Sequence, residues 1–496
     1  MSPTPPLSGG TAGPDHLRPL LDTVLAALHE GAARRDGPLP AGGPTTTTAR
    51  TRHAVGPLLP DEGTGAHHAL RTLVTALAEG AADPAHPHCA AHLHTPPLAL
   101  AAAADLAASA LNPSMDSWDQ APAATTLEAE LTATLAREIY PHHPRPDAVI
   151  TTGGTEANQL ALLLARERHG PVRTIHGANA HHSITRAAWL LGLPAPHVLP
   201  TPTGVMDPAA LHHALTTTPG PHLVTATAGT TDTGAIDPLT EIADLCDTHG
   251  AELHIDAAYG GTLLFSPTHR TKIQGIHRAH SVTLDLHKLG WQPAPAGILA
   301  VPGHHHLSPL HHLAPYLNAD DDTEAGIPDT LGRSLRTTRR PDALKIAVTL
   351  QALGRDGLAD LIDRTVAAAH HLATLITRTP GLELHAPPTI STVLFRPTDA
   401  DDHTVATLRR TLLDRGHAVL GRAHADGRLW LKATLLNPGT TPADLTTLLA
   451  HVTSHAHVTG HAHVTGHAHV TGHAHATHRA HFTLPDTELT EGSTHR

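Results

Sequence analysis

The segment Ser281-Val-Thr-Leu-Asp-Leu-His287-Lys288 decides the architecture. A short run suited to a buried strand delivers a His-Lys pair to its C-terminal end. In open α/β sheets ligands sit just beyond that end. A lysine there can form a Schiff base with a carbonyl when its surroundings let it shed a proton. Upstream, His254-Ile-Asp256-Ala257-Ala258-Tyr259-Gly260-Gly261 has the same design. A carboxylate follows an apolar strand, and small residues after it let a flat ring approach the backbone. Further upstream lies Thr151-Thr-Gly153-Gly154-Thr155-Glu156-Ala157-Asn158. Glycines between a strand and a helix expose N–H groups to an anion, and Thr155 adds a hydroxyl. The segment lacks the Gly-Lys-Ser/Thr of a P-loop and the Gly-x-Gly-x-x-Gly of a dinucleotide site, so a cup for one phosphate is the natural reading.

An aspartate on a ring nitrogen, a Schiff-base lysine and a phosphate cup are what proteins recurrently contribute to pyridoxal 5'-phosphate (PLP) chemistry. The chain around these segments supports them. Strands are expected at Asp147–Thr152, Val172–His176, His222–Ala226, Ala251–Ile255 and Ser281–Asp285, with helices at Thr155–Arg168 and Ala180–Leu191 between them. That alternation argues for a mostly parallel sheet covered on both faces. Helical stretches near 341–353 and 356–378 follow, and residues 381–450 read as strand, strand, helix, strand, helix. The domains expected are a helical N-terminal extension over 1–95 with a disordered start, a large α/β domain over 96–375, a small α+β domain over 376–450, and a tail over 451–496. The extension has helices at 16–35 and 66–78 around a polar stretch. The Ala-rich run Leu98–Leu111 reads as a buried helix. The tail repeats HVTSHA and HVTGHA with a period too short for a packed solenoid, and is expected to be disordered.

Composition narrows the function. Lys and Arg total 33 against 45 Asp and Glu, for a net charge of −12 with His neutral. An acidic chain is a poor nucleic-acid binder. No apolar run is long enough for a membrane span, and no secretory signal opens the sequence. Cys89 and Cys246 cannot build a disulfide framework, which points to a reducing cytoplasm. The 48 His are read mostly as bystanders, and no metal site is assigned.

With these motifs in this order, together with Asn112–Leu131 (NPSMDSWDQAPAATTLEAEL), Ala180–Ala188 (AHHSITRAA) and Thr227–Leu239 (TAGTTDTGAIDPL), the chain resembles the PLP-dependent group II amino-acid decarboxylases. The resemblance spans about residues 85–450. It implies the type I, aspartate-aminotransferase-like fold and a homodimer with active sites at the interface. It implies that Lys288 bonds the cofactor, that Asp256 pairs with the ring nitrogen and that Ala258 packs on the ring. His181 would stack on the ring and serve in catalysis. Gly154 and Thr155 would hold the phosphate with His287 and Ser281, and Thr230 would lie near the cofactor's 3′-oxygen.

Within the family the likeness is to the 2,4-diaminobutyrate and siderophore-type diamine decarboxylases, through His92–Pro96 (HLHTP), Asn112–Gln120, Tyr316–Pro328 (YLNADDDTEAGIP) and Leu431–Pro438 (LKATLLNP). The substrate expected is a short diamino acid. A second ammonium requires a carboxylate partner, which Asp320 and Asp322 could supply, with His92 and His94 as further substrate contacts. Loop 318–336 lacks the tyrosine that aromatic-amino-acid decarboxylases carry, so Tyr316, the nearest one, a His or water must serve as proton donor. Lysine or ornithine, or an aromatic or aliphatic amino acid, are alternative substrates. Oxidative decarboxylation to an aldehyde, and a His-rich metal-binding protein on an inactive fold, are the readings from other classes.

Overall fold

The computed structural model describes residues 5–311, 314, 317 and 319–465, with side chains as far as Ala456. Among these residues twelve strands form two sheets. In chain order they are β1 (Cys89–Ala90), β2 (Asp147–Thr151), β3 (Arg173–Gly177), β4 (His197–Leu199), β5 (His222–Thr227), β6 (Glu252–Asp256), β7 (Ser281–Asp285), β8 (Gly297–Val301), β9 (Leu382–Leu384), β10 (Thr392–Pro397), β11 (Val419–Ala425) and β12 (Arg428–Thr434).

The seven-stranded sheet has the order β2-β8-β7-β6-β5-β3-β4. Strands β7, β6, β5, β3 and β4 run parallel, and β8 lies antiparallel to both neighbours. β5 to β8 are buried along their whole length. Continuous apolar runs of this kind fit strands covered on both faces. This is the mostly parallel sheet of the type I PLP fold, with the ends of β2, β5, β6 and β7 gathered at one edge. The smaller sheet has the order β1-β11-β12-β10-β9. Its core combines Phe395, Leu408 and Leu431 with Ala90 from β1.

The elements agree with the sequence reading in part, and the differences have physical causes. Helix Ala343–Arg378 is broken at Gly354 (φ +62°), where the sequence reading divides it. Ile346 before the break and Ile362 after it pack on the large core, and the last turns pack Leu372 and Ile376 on the small one. The small domain gains a strand because Asp426-Gly427 turns β11 back onto β12 as a hairpin. Helix Gly43–Val55 lies in the stretch expected to be irregular, and it buries no residue. Within the run 98–111, Ala99–Leu111 is helical, but only Ala101, Ala104 and Ala108 are buried. In the first helix, Gly13–Arg35, Thr23, Ala27 and Gly31 are the buried face, so the leucine stripe points elsewhere and Leu25 is 64% exposed. The final helix runs Pro442–Thr465, beyond the expected tail boundary at 451, and Val452 and His455 are buried. Residues 466–496 lie outside the described residues.

Candidate active site

A cavity of about 320 Å³ opens at the C-terminal edge of the large sheet. Thr152–Thr155 approach it after β2, Asp256 at the end of β6 with Ala258 just beyond, and Asp285 at the end of β7 with His287 and Lys288 just beyond, with His181 on another wall. The three segments that dominate the sequence reading therefore converge on one space, as strand ends in an open sheet should.

The expected phosphate cup is shaped by glycine. A Cβ on Gly153 would come 2.9 Å from Cε1 of His287. One on Gly154 would come 3.0 Å from Cβ of Ala258 and 3.1 Å from Oδ2 of Asp285. Gly154 also opens a helix that runs to His169, so its free N–H groups face the cavity end. Glu156 reaches back 2.6 Å to the Thr152 N–H and anchors the loop.

Asp256 is buried and accepts hydrogen bonds from Asn158 Nδ2 (2.8 Å) and the Ala258 N–H (3.1 Å). Lys288 Nζ lies 3.0 Å from Oδ2 of buried Asp285. Oδ1 of Asp285 and Nδ1 of His287 are buried without a hydrogen-bond partner, which leaves polar capacity directed at a ligand. Burial pushes the His287 imidazole below its ordinary pKa, with Lys288 acting the same way and Asp285 opposing. Burial also lowers His181, which the Asp256 charge only partly offsets. Both rings are therefore neutral near pH 7. A glycine cup, orphaned polar atoms, a buried carboxylate and a reachable lysine amine form a set that fits PLP: Gly153–Thr155 and His287 for the phosphate, Asp256 for the ring nitrogen, Ala258 and His181 for the ring faces, Lys288 for the covalent bond.

Other expected residues fall elsewhere. Ser281 starts β7 at the far end of the strand, and its hydroxyl contacts Nδ1 of His254 at 2.9 Å, so it does not reach the cavity. The Thr230 hydroxyl meets Thr233 (2.9 Å) and accepts from the Ala235 N–H (3.1 Å), while its neighbours Gly229 and Thr231 line the cavity. His92 and His94 are exposed, and Leu93 between them lines the cavity. Asp320 and Asp322 sit on a short exposed helix, Asp320–Glu324, and do not line this chain's cavity. Tyr316 lies outside the described residues.

Two site residues escape the sequence reading. Asp285 stands three residues before Lys288, inside the quoted strand. Asn158 closes the TTGGTEAN motif, and the signal for it is its position one helical turn after Gly154. Neither cysteine competes as a nucleophile, since burial pushes the thiol of Cys89 up to about 11 and that of Cys246 up to about 12. Among the described residues no group of three or more His, Cys, Asp or Glu is arranged to hold a metal ion. None of the described helices is long and apolar enough to cross a membrane.

Comparison with known proteins agrees with this geometry. The family model described as pyridoxal-dependent decarboxylase conserved domain matches residues 57–398. An L-2,4-diaminobutyrate decarboxylase of Rhizobium meliloti (strain 1021) is 42% identical over 402 residues, covering 77% of this chain and 81% of the relative. An L-2,4-diaminobutyrate decarboxylase of Acinetobacter baumannii is 33% identical over 434 residues, covering 79% and 84%. Among solved structures, the glutamate decarboxylase domain of diaminobutyrate-pyruvate transaminase and L-2,4-diaminobutyrate decarboxylase from Vibrio parahaemolyticus superposes with a TM-score of 0.81 at 32% identity, covering 91% of this chain and 98% of that one.

Proposed function

Because the chain belongs to the pyridoxal-dependent decarboxylase family, we propose that it is a PLP-dependent carboxy-lyase that converts L-2,4-diaminobutyrate to 1,3-diaminopropane and carbon dioxide. The observation that carries the reading is the convergence of Lys288, Asp256, His181 and the Gly153–Thr155 cup on one cavity. The substrate is supported by the two bacterial relatives, each named for that amino acid.

When bound, PLP supplies the electron sink that takes up the electron pair left at Cα as carbon dioxide departs. The chain supplies the setting. Asp256, fixed by two donors, is placed to hold a proton on the ring nitrogen. Asp285 faces the Lys288 ammonium and steadies it whenever the amine is free. His181 closes one wall and keeps bulk water from the reacting carbon. Carboxylate orientation at Cα selects decarboxylation over competing fates, so positioning by these residues governs the outcome.

The protein acts as a homodimer in the cytoplasm on this reading. Leu25, Leu77 and Leu111 are largely exposed on a single chain, and a second copy would cover such surface. The acidic helix Asp320–Glu324 is free to serve the neighbouring subunit's cavity as partner for the distal ammonium. The test is product analysis by mass spectrometry with PLP present, over L-2,4-diaminobutyrate, ornithine, lysine, glutamate and tyrosine. Selective 1,3-diaminopropane is the expected result; a different single amine would replace the substrate. Lys288→Ala should stay folded and lose turnover, and wild-type rates in that variant would refute the assignment.

A further inference from the structure

We propose that Asn158 is a positioning residue that orients two walls of the cavity at once: the carboxylate of Asp256 and, through Ser183, the imidazole of His181, held as the tautomer with its proton on Nε2. The inference rests on the cofactor site described above and extends to residues that nothing else assigns.

Asn158 is almost fully buried, and its amide has four polar neighbours. Nδ2 lies 2.8 Å from Oδ2 of Asp256 and 2.9 Å from Oγ of Ser183. Oδ1 lies 2.8 Å from the Thr283 hydroxyl and 3.0 Å from Nε2 of His254. The orientation of the amide is forced. A flipped amide would set its oxygen against the Asp256 carboxylate, acceptor against acceptor, so both N–H groups must point to Asp256 and Ser183.

The directions of the remaining bonds then follow. Oδ1 of Asn158 accepts, so His254 donates from Nε2 and the Ser281 hydroxyl donates to Nδ1 of His254 (2.9 Å). On the other side, Ser183 accepts from Asn158, and its own hydroxyl proton faces Nδ1 of His181 at 2.8 Å. The backbone N–H of Ser183 points at the same nitrogen, at 3.3 Å. Two donors converge on Nδ1 of His181, so that nitrogen carries the lone pair and the ring proton sits on Nε2. The relay reads Ser281, His254, Asn158, then a fork to Asp256 and to Ser183–His181. His181 thereby keeps a hydrogen-bond donor on its free nitrogen without being charged. The groups whose charges act on it are Asp256, Lys288, Asp285 and His182.

Histidine-resolved hydrogen–deuterium exchange with mass spectrometry gives a titration midpoint for each ring separately, and it is run on the full chain with and without PLP. Donors on Nδ1 stabilise the neutral ring. Ser183→Ala and Asn158→Ala should therefore both raise the His181 midpoint. Only Asn158→Ala, which also strips a donor from Asp256, should weaken PLP binding, by about tenfold for one charge-assisted hydrogen bond. An unchanged His181 midpoint in both variants would overturn the proposal, as would equal losses of PLP affinity in both. Lower thermal stability with an unmoved midpoint would mark Asn158 as structural only. The midpoint measured without PLP tests the relay alone, so failure of the wild type to bind PLP would sink the functional reading and not this one.

Discussion

Replacing His254 with glutamine should flatten the acid sensitivity of the protein by an amount the structure sets. His254 is 0% exposed, on the central strand β6. Burial drives its pKa from 6.5 down to about 4, against the opposing pull of Asp256. The folded-state value lies below the unfolded one. Between pH 6.5 and 4 the unfolded chain therefore binds a proton that the folded chain refuses. The stability this group contributes is complete above pH 6.5 and is lost as pH falls toward 4. Over the whole window it amounts to about 3 kcal/mol, and between pH 7.5 and 5.0 to about 2 kcal/mol. Glutamine does not titrate, yet its amide can still donate to Oδ1 of Asn158. Urea unfolding of both proteins at pH 7.5 and 5.0 is the assay. The wild type should lose about 2 kcal/mol more than the variant over that interval. Equal losses would show that His254 is not held neutral by burial, and would undo the direction assigned to its bond with Asn158.

Three further outcomes follow from packing and charge. Gly297→Ala would place a Cβ 2.6 Å from the Gly153 nitrogen and 2.5 Å from Oγ1 of Thr151, so the cup must shift; PLP affinity should fall at least tenfold, and titration with PLP would detect it. Glu252 lies where burial alone would raise its pKa, but the hydrogen bonds and charge of Arg168, with His169, hold it at about 2. Glu252→Gln should therefore cost on the order of 3 kcal/mol at pH 7, a difference that shrinks only below pH 4.5 as the wild-type contribution is lost, and thermal melts across pH would show it. A chain ending at Ala456 should keep full activity, whereas one ending at Ala450 loses buried Val452 and should be destabilised by about 2 kcal/mol; equal stability of the two truncations would place the end of the domain at 450.

The sequence exposes the parts of the site whose chemistry is local. A carboxylate, a lysine or a glycine pair at the end of an apolar strand is legible because strand ends are where an open sheet binds ligands. What depends on register is not legible. Ser281 belongs to the quoted strand, but pairing sets His254 opposite Ser281 and Asp256 opposite Thr283, so Ser281 serves the relay beneath the site. The course of the bend at 91–93, not residue type, decides that Leu93 and not His92 or His94 turns inward. Helix Gly43–Val55 has no buried face, so no hydrophobic periodicity announces it. The turn at Asp426-Gly427 is a recognised hairpin signal, and it does reveal the extra strand once read as one.

Helix Gly154–His169 explains why the glycine motif ends in asparagine. Its first residues form the cup, and Asn158 stands four positions on from Gly154. At 3.6 residues per turn that spacing places Asn158 on the same face, about 6 Å deeper. There it meets β6 and β7 through Asp256, His254 and Thr283. At the far end of the helix, Arg168 and His169 grip Glu252, the first residue of β6. One helix is thus fixed to one strand at both ends, by the ion pair where β6 begins and by Asn158 where it delivers Asp256. A displacement of the helix would move the phosphate cup and the ring-nitrogen carboxylate together, which preserves the distance between them. That rigidity makes the spacing of the cup and Asp256 a property of the scaffold, with His181 tied to it through Ser183, while Lys288 stands on a separate segment after β7.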